Sequence, residues 1–223
     1  MRVSSDEPAF SASVEDYAKA IYSLTRGRGP AATSDLAERL GLTAGSVSAM
    51  VKRLDAAGLV EHVPYHGVRL TDEGERLALS VIRRHRLLET FLTTSLDIAW
   101  DDVHRFADAL EHAASDELIE IIAAKLGDPV VDPHGDPIPT RDLVIDDRRT
   151  QSSADLADGE RATVVRVSDS DPEMLRYLAD QGIAIGDEVE MVGRQPFDGP
   201  CEIRIGADTH LLGQPLARAI RVS

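Results

Sequence analysis

The chain has 223 residues, of which 43% are hydrophobic, and it carries a formal net charge of −15 at pH 7. This length exceeds one average domain, so we expect two or three small domains with ordinary apolar cores. No segment approaches the roughly 18 consecutive apolar residues that span a bilayer, and the amino terminus is polar and acidic. These features predict a cytoplasmic protein without a membrane partner.

The charge is unevenly distributed along the chain. Residues 1–88 hold 12 Lys+Arg and 11 Asp+Glu, whereas residues 89–223 hold 12 and 28. The first part can therefore approach a phosphate backbone. The acidic remainder would repel one, which keeps non-specific affinity for nucleic acid low.

The first 75 residues predict a winged-helix domain. Apolar periodicity gives an opening helix in VEDYAKAIYSLTRG and two more in TSDLAERLG and LTAGSVSAMVKRLDAAG. Thr43 can cap the third helix, while Gly41 and Gly58 end the second and third. Two short strands follow in LVEHVPYHGVRLT, around a turn at Tyr65–Gly67. A helix-turn-helix followed by a β-hairpin is the pattern of a winged helix.

The third helix, Thr43 to Ala57, is the predicted recognition helix. Val47, Val51 and Leu54 form its inward apolar stripe, and small residues let its backbone approach DNA closely. The polar groups that this helix and the wing offer to DNA are Thr43, Ser46, Ser48, Lys52, Arg53 and Arg69. A winged helix used for protein contacts is the alternative.

Two long helices are predicted next. One runs from Glu73 through TTSLD and the other from Val103 to Leu126, both with apolar residues at helical spacing. We expect them to pack together and to supply a dimer interface. Four prolines in DPVVDPHGDPIP end the helical pattern, and we interpret His134 there as a turn residue rather than a ligand.

Potential metal ligands lie on both helices. Four of them fall at i, i+4, i+7 and i+8, an arc of about 100°: His104, Asp108, Glu111 and His112. His85 and Glu89 are one turn apart on the preceding helix. Imidazole and carboxylate ligands without sulfur suit manganese or iron(II). A solvated acidic stripe is the structural alternative.

The last part of the chain changes period. Residues 142–158 have the composition of a mobile linker. From residue 159, the segments ERATVVRVS, DEVEMVG, CEIRIG and ARAIRV predict the strands of a small β-barrel, with a helix inserted at PEMLRYLADQG. Asp169, Asp171 and Glu173 lie at the start of that helix, where its dipole stabilises them. Metal contact is the alternative for these three residues.

Taken together, these elements resemble the DtxR/MntR family of metal-dependent transcriptional repressors. The resemblance is carried by VEDYAKAIY, RRHRLLE, VHRFADALEH and DPHGDPIP, and the terminal SH3-like (FeoA-like) barrel is typical of the three-domain form. It implies a mainly α protein with a small β part. Its divisions would be a winged helix-turn-helix DNA-binding domain (1–75), a helical metal-binding and dimerisation domain (76–141), a linker (142–158) and the barrel (159–223).

The resemblance also implies two metal sites. The ligands of the primary site would be Asp16, Asp108, Glu111 and His112. Those of the ancillary site would be His85, Glu89, His104 and, from the barrel, Asp171. Iron-sensing members have a methionine at the position of Asp16 and a cysteine at that of Asp108, so two aspartates make a harder site that favours manganese.

Two positions depart from the family pattern. Lys19 stands where the short manganese-sensing regulators have a second carboxylate, one turn after Asp16. Met174 stands where iron-sensing members have a polar ligand in the barrel.

The sequence therefore predicts a manganese-activated repressor, not an enzyme. It would bind palindromic operators in double-stranded DNA as a homodimer, hold one or two Mn²⁺ per subunit, and control genes of metal-ion homeostasis. Without metal, repulsion among Asp16, Asp108 and Glu111 is expected to hold the first helix away from the dimerisation helix. A bound cation would reverse that repulsion and set the spacing of the two recognition helices.

Three alternatives stay open at this point. The first is an iron(II)-dependent repressor of the same family, since iron binds most sites more tightly than manganese. The second is a metal-dependent hydrolase, although the chain has no H-E-x-x-H motif, nucleophile elbow or phosphate-binding glycine loop. The third is a regulator that senses an organic ligand. An aromatic content of 4% offers little to line such a pocket, so no organic substrate is expected.

Overall fold

The computed structural model describes residues 10–26, 29–63, 66–146 and 148–223. The chain forms two compact units, each with its own apolar core. The first comprises Met1–His85, Asp108–Lys125 and Pro139–Val144. The second comprises Arg86–Ala107, Leu126–Ile138 and Ile145–Ser223. No helix in the described ranges has the length and apolar character needed to cross a membrane.

The first unit begins with the predicted winged helix, which is confirmed. Its elements are α1 (Ala12–Thr25), α2 (Thr33–Leu40), α3 (Ala44–Ala56), β1 (Val60–Val63) and β2 (Gly67–Leu70). The two strands pair antiparallel, with Val60 opposite Leu70. Tyr65 of the predicted turn lies outside the described residues.

Local signals account for the helix boundaries in this domain. Gly41 ends α2 in the left-handed conformation, with φ of 64°. The Thr43 side chain caps α3 by accepting a hydrogen bond from the Ser46 backbone N–H. The predicted inward stripe of α3 is buried and joins the domain core: Val47, Val51 and Leu54.

Helix α4 (Asp72–Leu96) agrees with the prediction, but the predicted helix from Val103 to Leu126 is wrong as a single element. It is two helices, α5 (Val103–Glu111) and α6 (Asp116–Lys125). Ser115 starts α6, because its hydroxyl accepts a hydrogen bond from the Leu118 N–H and two acidic residues follow in the first turn. Because α5 ends at Glu111, His112 lies just beyond it.

The second unit contains a six-stranded antiparallel sheet in the order β3-β8-β4-β5-β6-β7. Its strands are β3 (Gln151–Ser152), β4 (Arg161–Val167), β5 (Glu188–Arg194), β6 (Cys201–Ile205), β7 (Asp208–Leu212) and β8 (Ile220–Val222). Two helices complete it, α7 (Pro172–Asp180) and α8 (Gln214–Ala219). The expected architecture, mainly α with a small SH3-like β domain at the carboxyl end, is thereby confirmed.

Three details of this unit differ from the prediction. Strand β3 and a 3₁₀ turn (Ser153–Asp155) lie inside the predicted linker, where Ala154 and Leu156 enter the barrel core. The barrel therefore begins before residue 159. Strand β7 was not predicted. The predicted strand ARAIRV is divided between α8 and β8, and Pro215 in the first turn of α8 favours a helix start.

Candidate metal centres

The first cluster of metal-ligating side chains, here called the primary cluster, lies in the first unit between α1 and the end of α5. One ligand atom each of Asp16, Glu111 and His112 lies within 4.8 Å of the other two. His112 Nε2 is 3.0 Å from Asp16 Oδ1 and 3.5 Å from Glu111 Oε1. The structure thus brings together three of the four residues predicted for the primary site.

Asp108, the fourth residue, is linked to Glu111 of the cluster by the Lys19 ammonium. Lys19 Nζ lies 3.1 Å from Asp108 Oδ1 and 2.6 Å from Glu111 Oε1. Lys19 is on α1, one turn after Asp16, so the same helix face supplies a carboxylate and an ammonium. The ammonium offsets part of the predicted repulsion among Asp16, Asp108 and Glu111.

His85 also faces this cluster, although the resemblance assigned it to the ancillary site. Its Nδ1 is 2.6 Å from Glu111 Oε2 and 3.4 Å from Asp108 Oδ1. Both carboxylate oxygens of Glu111 therefore have partners, Lys19 on one and His85 on the other. The side chain of Glu111 is only 1% exposed, so these contacts replace its hydration.

The charges in the cluster reinforce one another. Burial raises the pKa of Glu111, but the hydrogen bond and charge of His85, together with Lys19, lower it by more, so Glu111 is ionised at neutral pH. Burial lowers the pKa of Lys19, yet the carboxylates of Glu111 and Asp108 outweigh it and raise that pKa. An ionised carboxylate and a permanent ammonium thus lie side by side.

Glu15 is a member of this site that sequence reasoning missed. It is 3% exposed, its Oε1 accepts a hydrogen bond from Arg84 at 2.6 Å, and its Oε2 lies 2.6 Å from His112 Nδ1. A carboxylate on Nδ1 fixes the ring and leaves Nε2 directed at Asp16 and Glu111. The available signal was a second acidic residue beside Asp16 on the buried face of α1.

The second cluster, here called the barrel-side cluster, lies in the second unit. One ligand atom each of Glu89, His134 and Asp169 lies within 4.8 Å of the other two. His134 Nε2 is 2.8 Å from the Trp100 carbonyl oxygen, which can only accept, so Nε2 carries a proton.

The Nδ1 atom of His134 is buried and has no hydrogen-bond partner among the described residues. It lies 3.9 Å from Glu89 Oε2, and both side chains are at most 1% exposed. A buried ring nitrogen without a hydrogen-bond partner is costly, and a cation held between it and the Glu89 carboxylate would satisfy it. The donor set of one imidazole and two carboxylates fits a hard divalent metal.

A tight turn holds His134 in place. Asp132 Oδ1 accepts hydrogen bonds from the backbone N–H groups of His134 and Asp136. Burial and the neighbouring Asp136 and Glu89 raise the pKa of Asp132 to about 7. Gly135 has φ of 83°, and a Cβ there would lie 2.1 Å from a backbone carbonyl oxygen of β4. His134 is thus a turn residue, as interpreted, and its ring also belongs to a ligand cluster.

Two other residues assigned to the ancillary site, His104 and Asp171, also lie in the second unit. His104 Nδ1 is 3.1 Å from Glu89 Oε1. Asp171 caps α7 instead, its Oδ1 accepting from the backbone N–H groups of Glu173 and Met174. The structure therefore brings Asp169, not Asp171, to Glu89. Asp169 and Asp171 are only two residues apart at the start of α7. The sequence alone could therefore not show which of them caps the helix and which could bind a metal.

The predicted DNA-contacting residues all lie on the surface of the winged helix. Five of them belong to α3 or cap it: Thr43, Ser46, Ser48, Lys52 and Arg53. Arg69 on β2 is exposed and pairs with Glu61 at 2.9 Å. Thr43 also serves as the helix cap, so replacing it would affect the fold of α3 as well as any DNA contact.

Three family models match consecutive parts of the chain. They are "Iron dependent repressor, N-terminal DNA binding domain" over residues 9–68, "Iron dependent repressor, metal binding and dimerisation domain" over 71–140, and "FeoA domain" over 154–223. Together they account for most of its length. The repressor family that these models describe consists of transcriptional regulators rather than enzymes, so the hydrolase alternative is excluded.

Individual proteins agree with the family models. The diphtheria toxin repressor of Corynebacterium efficiens is 34% identical in an alignment 218 positions long that covers 93% of this chain and 94% of that protein. The transcriptional regulator MntR of Escherichia coli O157:H7 is 39% identical over 107 residues, 48% of this chain and 68% of its own. A solved structure of a manganese-dependent transcriptional repressor in complex with manganese has a TM-score of 0.89 at 43% identity, covering 94% of this chain and 98% of that one. The chain belongs to the DtxR/MntR family of metal-dependent transcriptional repressors.

Proposed function

We propose that this protein is a manganese-activated repressor that acts in the cytoplasm, binds palindromic operators as a homodimer and controls genes of metal-ion homeostasis. The observation that carries the proposal is the primary cluster, in which Asp16 of the DNA-binding domain meets Glu111 and His112 at the end of α5. A ligand set on these two elements couples metal binding to the placement of the winged helix. The similarity to a manganese-dependent repressor supports the choice of metal.

The residues of the primary cluster would have different roles in such a site. The metal ligands would be Asp16, Asp108, Glu111 and His112. A bound divalent ion supplies positive charge to these carboxylates. Glu15 holds the His112 ring, and Lys19 ties α1 to α5 through Glu111 and Asp108. These contacts orient α1, and with it α3, relative to α5 and α6.

Operator affinity follows from that orientation. A symmetric dimer reads two half-sites separated by whole helical turns, so the distance between its recognition helices must match the operator. Coupling of about 1–3 kcal/mol between metal and DNA corresponds to a roughly 5–150-fold change in affinity. Helix α6 exposes Leu118 and Ile121, which are 46% and 59% accessible, and we assign the dimer contact to this apolar face.

We also propose a second metal per subunit, at the barrel-side cluster. Its ligands would be Glu89, His134 and Asp169, with His104 beside Glu89. This set keeps Glu89 and His104 of the ancillary site that the resemblance implied. Asp169 replaces Asp171, because Asp171 is committed to capping α7. His85 is reassigned to the primary cluster, where it contacts Glu111.

Iron(II) is the second candidate metal, because two matching family models are described as iron-dependent repressors. Both clusters lack sulfur ligands, and hard oxygen donors favour manganese more than a thiolate site would. Operator binding measured anaerobically with Mn²⁺ and with Fe²⁺, at matched free-metal concentrations, separates the two. Stronger activation by Fe²⁺ would favour the iron-dependent repressor.

The experiment that tests the proposed function is a mobility shift on a palindromic operator. We expect binding with Mn²⁺ and a 5–150-fold loss with chelator. Asp16→Ala should lose the metal response while its circular dichroism spectrum is unchanged. Asp142→Ala, which removes an exposed aspartate outside both clusters, is the control and should respond like the unmodified protein. Equal operator binding with and without metal would refute the proposal.

A further inference from the structure

The first turn of α4 lies in direct backbone contact with the segment that joins α3 to β1. A Cβ on Gly74 would lie 1.9 Å from the Leu59 carbonyl oxygen and 3.1 Å from Leu70 Cδ2. The carbonyl oxygen belongs to the backbone and cannot rotate away, so only glycine permits this approach. Glycine is a weaker helix former than alanine, and at this position the contact between two backbones requires it.

Thr71, which precedes α4, links the same two segments by hydrogen bonds. Its hydroxyl donates to the Gly58 carbonyl oxygen at 2.7 Å and accepts from the Gly74 N–H at 3.2 Å. Its backbone N–H donates to the Leu59 carbonyl oxygen at 3.1 Å, and the Leu59 N–H donates to the Leu54 carbonyl oxygen of α3. Hydrogen bonds therefore run from the end of α3 to the start of α4. These contacts of Thr71 and Gly74 with Gly58 and Leu59 are here called the α3–α4 joint.

The winged helix is attached to α4 at a second point. Arg84 donates to Glu15 of α1 at 2.6 Å, and both side chains are at most 10% exposed. Arg84 follows Gly74 by ten residues, which is roughly 15 Å of helix. Between them α4 contains neither glycine nor proline, the residues at which helices commonly kink, and Leu77 packs against the winged-helix core. The first part of α4 is thus held to the winged helix at both of its ends.

This attachment determines how α3 can be oriented. A displacement of α1 toward α5 carries α3 and the start of α4 with it, because the joint leaves no free segment between them. The direction of α4 therefore sets the direction of α3, and in a symmetric dimer it also sets the distance between the two copies of α3. A looser joint would let α3 tilt while the ligands on α1 and α5 keep their positions.

We propose that Thr71 and Gly74 are positioning residues for operator recognition, which transmit the direction of α4 to α3 through the α3–α4 joint. The inference rests on the proposed function, because it concerns how the metal-bound protein fixes its recognition helices. Neither residue is among the potential metal ligands or the predicted DNA-contacting residues. Their effect on operator binding is therefore separable from metal affinity.

The test uses the full chain and a palindromic DNA duplex selected from random sequences by the unmodified protein with Mn²⁺. Mn²⁺ affinity is measured without DNA by competition with a fluorescent chelator, and operator affinity by mobility shift with Mn²⁺ and with chelator. In the unmodified protein, Mn²⁺ should raise operator affinity by roughly 5–150-fold. In Gly74→Ala and Thr71→Val, that ratio should fall toward one while Mn²⁺ affinity is unchanged.

A second measurement responds to the placement of α3 rather than to loss of fold. The duplex is altered so that its half-sites lie one base pair further apart. The unmodified protein should discriminate against the altered duplex, because its recognition helices are held at a fixed distance. Both variants should discriminate less, since an untethered α3 can adjust to either spacing.

Two controls separate the joint from the substitutions themselves. Thr71→Ser keeps the hydroxyl and should behave like the unmodified protein. Gly29→Ala adds the same methyl group to the same domain at a glycine whose Cβ would have no atom within 4 Å, and it should also have no effect. Circular dichroism checks the fold of each variant. If Gly74→Ala folds poorly, the comparison of Thr71→Val with Thr71→Ser decides the result.

A full Mn²⁺ response and an unchanged spacing preference in the folded variants would overturn the inference. Parallel loss of Mn²⁺ affinity and operator affinity would also overturn it, because the joint would then only support the fold. Failure of the proposed function is recognised separately, in the unmodified protein. If that protein binds the operator equally with Mn²⁺ and with chelator, the proposed function fails and the inference fails with it.

Discussion

The buried pair of Glu15 and Arg84 allows metal affinity and stability to be separated by mutation. The Glu15 side chain is 4% exposed, that of Arg84 is 10% exposed, and their charged atoms are 2.6 Å apart. Glu15→Met would leave the Arg84 guanidinium buried without its carboxylate, which should lower the free energy of unfolding by about 3–5 kcal/mol. Replacing both residues by methionine removes the unpaired charge, so most of that stability should return.

Metal affinity should respond differently to the same substitutions. Glu15 lies 2.6 Å from His112 Nδ1, and removing such a partner typically weakens metal binding by about 10–100-fold. We expect that loss in Glu15→Met and also in the double variant, because neither retains a carboxylate on the His112 ring. A double variant that regains stability but still binds Mn²⁺ weakly would show that Glu15 acts by positioning the His112 ring.

Stability is measured by urea denaturation in chelator, and Mn²⁺ affinity by competition with a fluorescent chelator. Glu38→Gln, an exposed change on α2, is the control and should alter stability by less than about 0.5 kcal/mol. Recovery of full Mn²⁺ affinity in the double variant would refute the positioning role of Glu15. A loss of less than about 1 kcal/mol in Glu15→Met would refute the reasoning from burial.

Three further outcomes are expected. His134→Ala should lower the Mn²⁺ content by one ion per chain, whereas His66→Ala, at an exposed residue of the wing, should not; equal content would contradict the barrel-side centre. Gly135→Ala should lower the free energy of unfolding in urea more than Gly159→Ala does. Both glycines have positive φ, so alanine at either position incurs backbone strain of about 1–3 kcal/mol. Only a Cβ at residue 135 also meets a carbonyl oxygen, at 2.1 Å. Equal losses would show that the turn relaxes. Arg53→Ala should weaken operator binding and reduce its salt slope by about 1, as judged from mobility shifts over a salt series, if Arg53 contacts a phosphate; an unchanged slope would argue against that contact.

Elements with local determinants were the ones that could be predicted. The helices and strands of the winged helix follow from apolar periodicity, the Thr43 cap and the glycine at the end of α2, all of which act within a few residues. The break between α5 and α6 also has a local signal at Ser115, but continuous helical periodicity across it favoured a single helix. In the barrel, α8 and β8 are too short for periodicity to separate a helix from a strand.

The same distinction between local and long-range determinants applies to the candidate metal sites. The sequence by itself determined which donors are available: imidazoles and carboxylates at helical spacing, with no sulfur among them. It also determined that Lys19 follows Asp16 by one helical turn. These are properties of residue type and of the helical repeat, so they need no knowledge of the fold.

Only the tertiary structure decided which donors meet. His112 lies 97 residues from Glu15 and His85 lies 26 residues from Glu111, yet each pair is in contact at 2.6 Å. The ring of His134 comes to face Glu89 because a turn and the Trp100 carbonyl oxygen orient it. Contacts over such separations depend on how the elements pack, and burial then removes water as the competing partner. A local pattern records neither effect, which is why the partners of Lys19 and His134 could be assigned only from the folded chain.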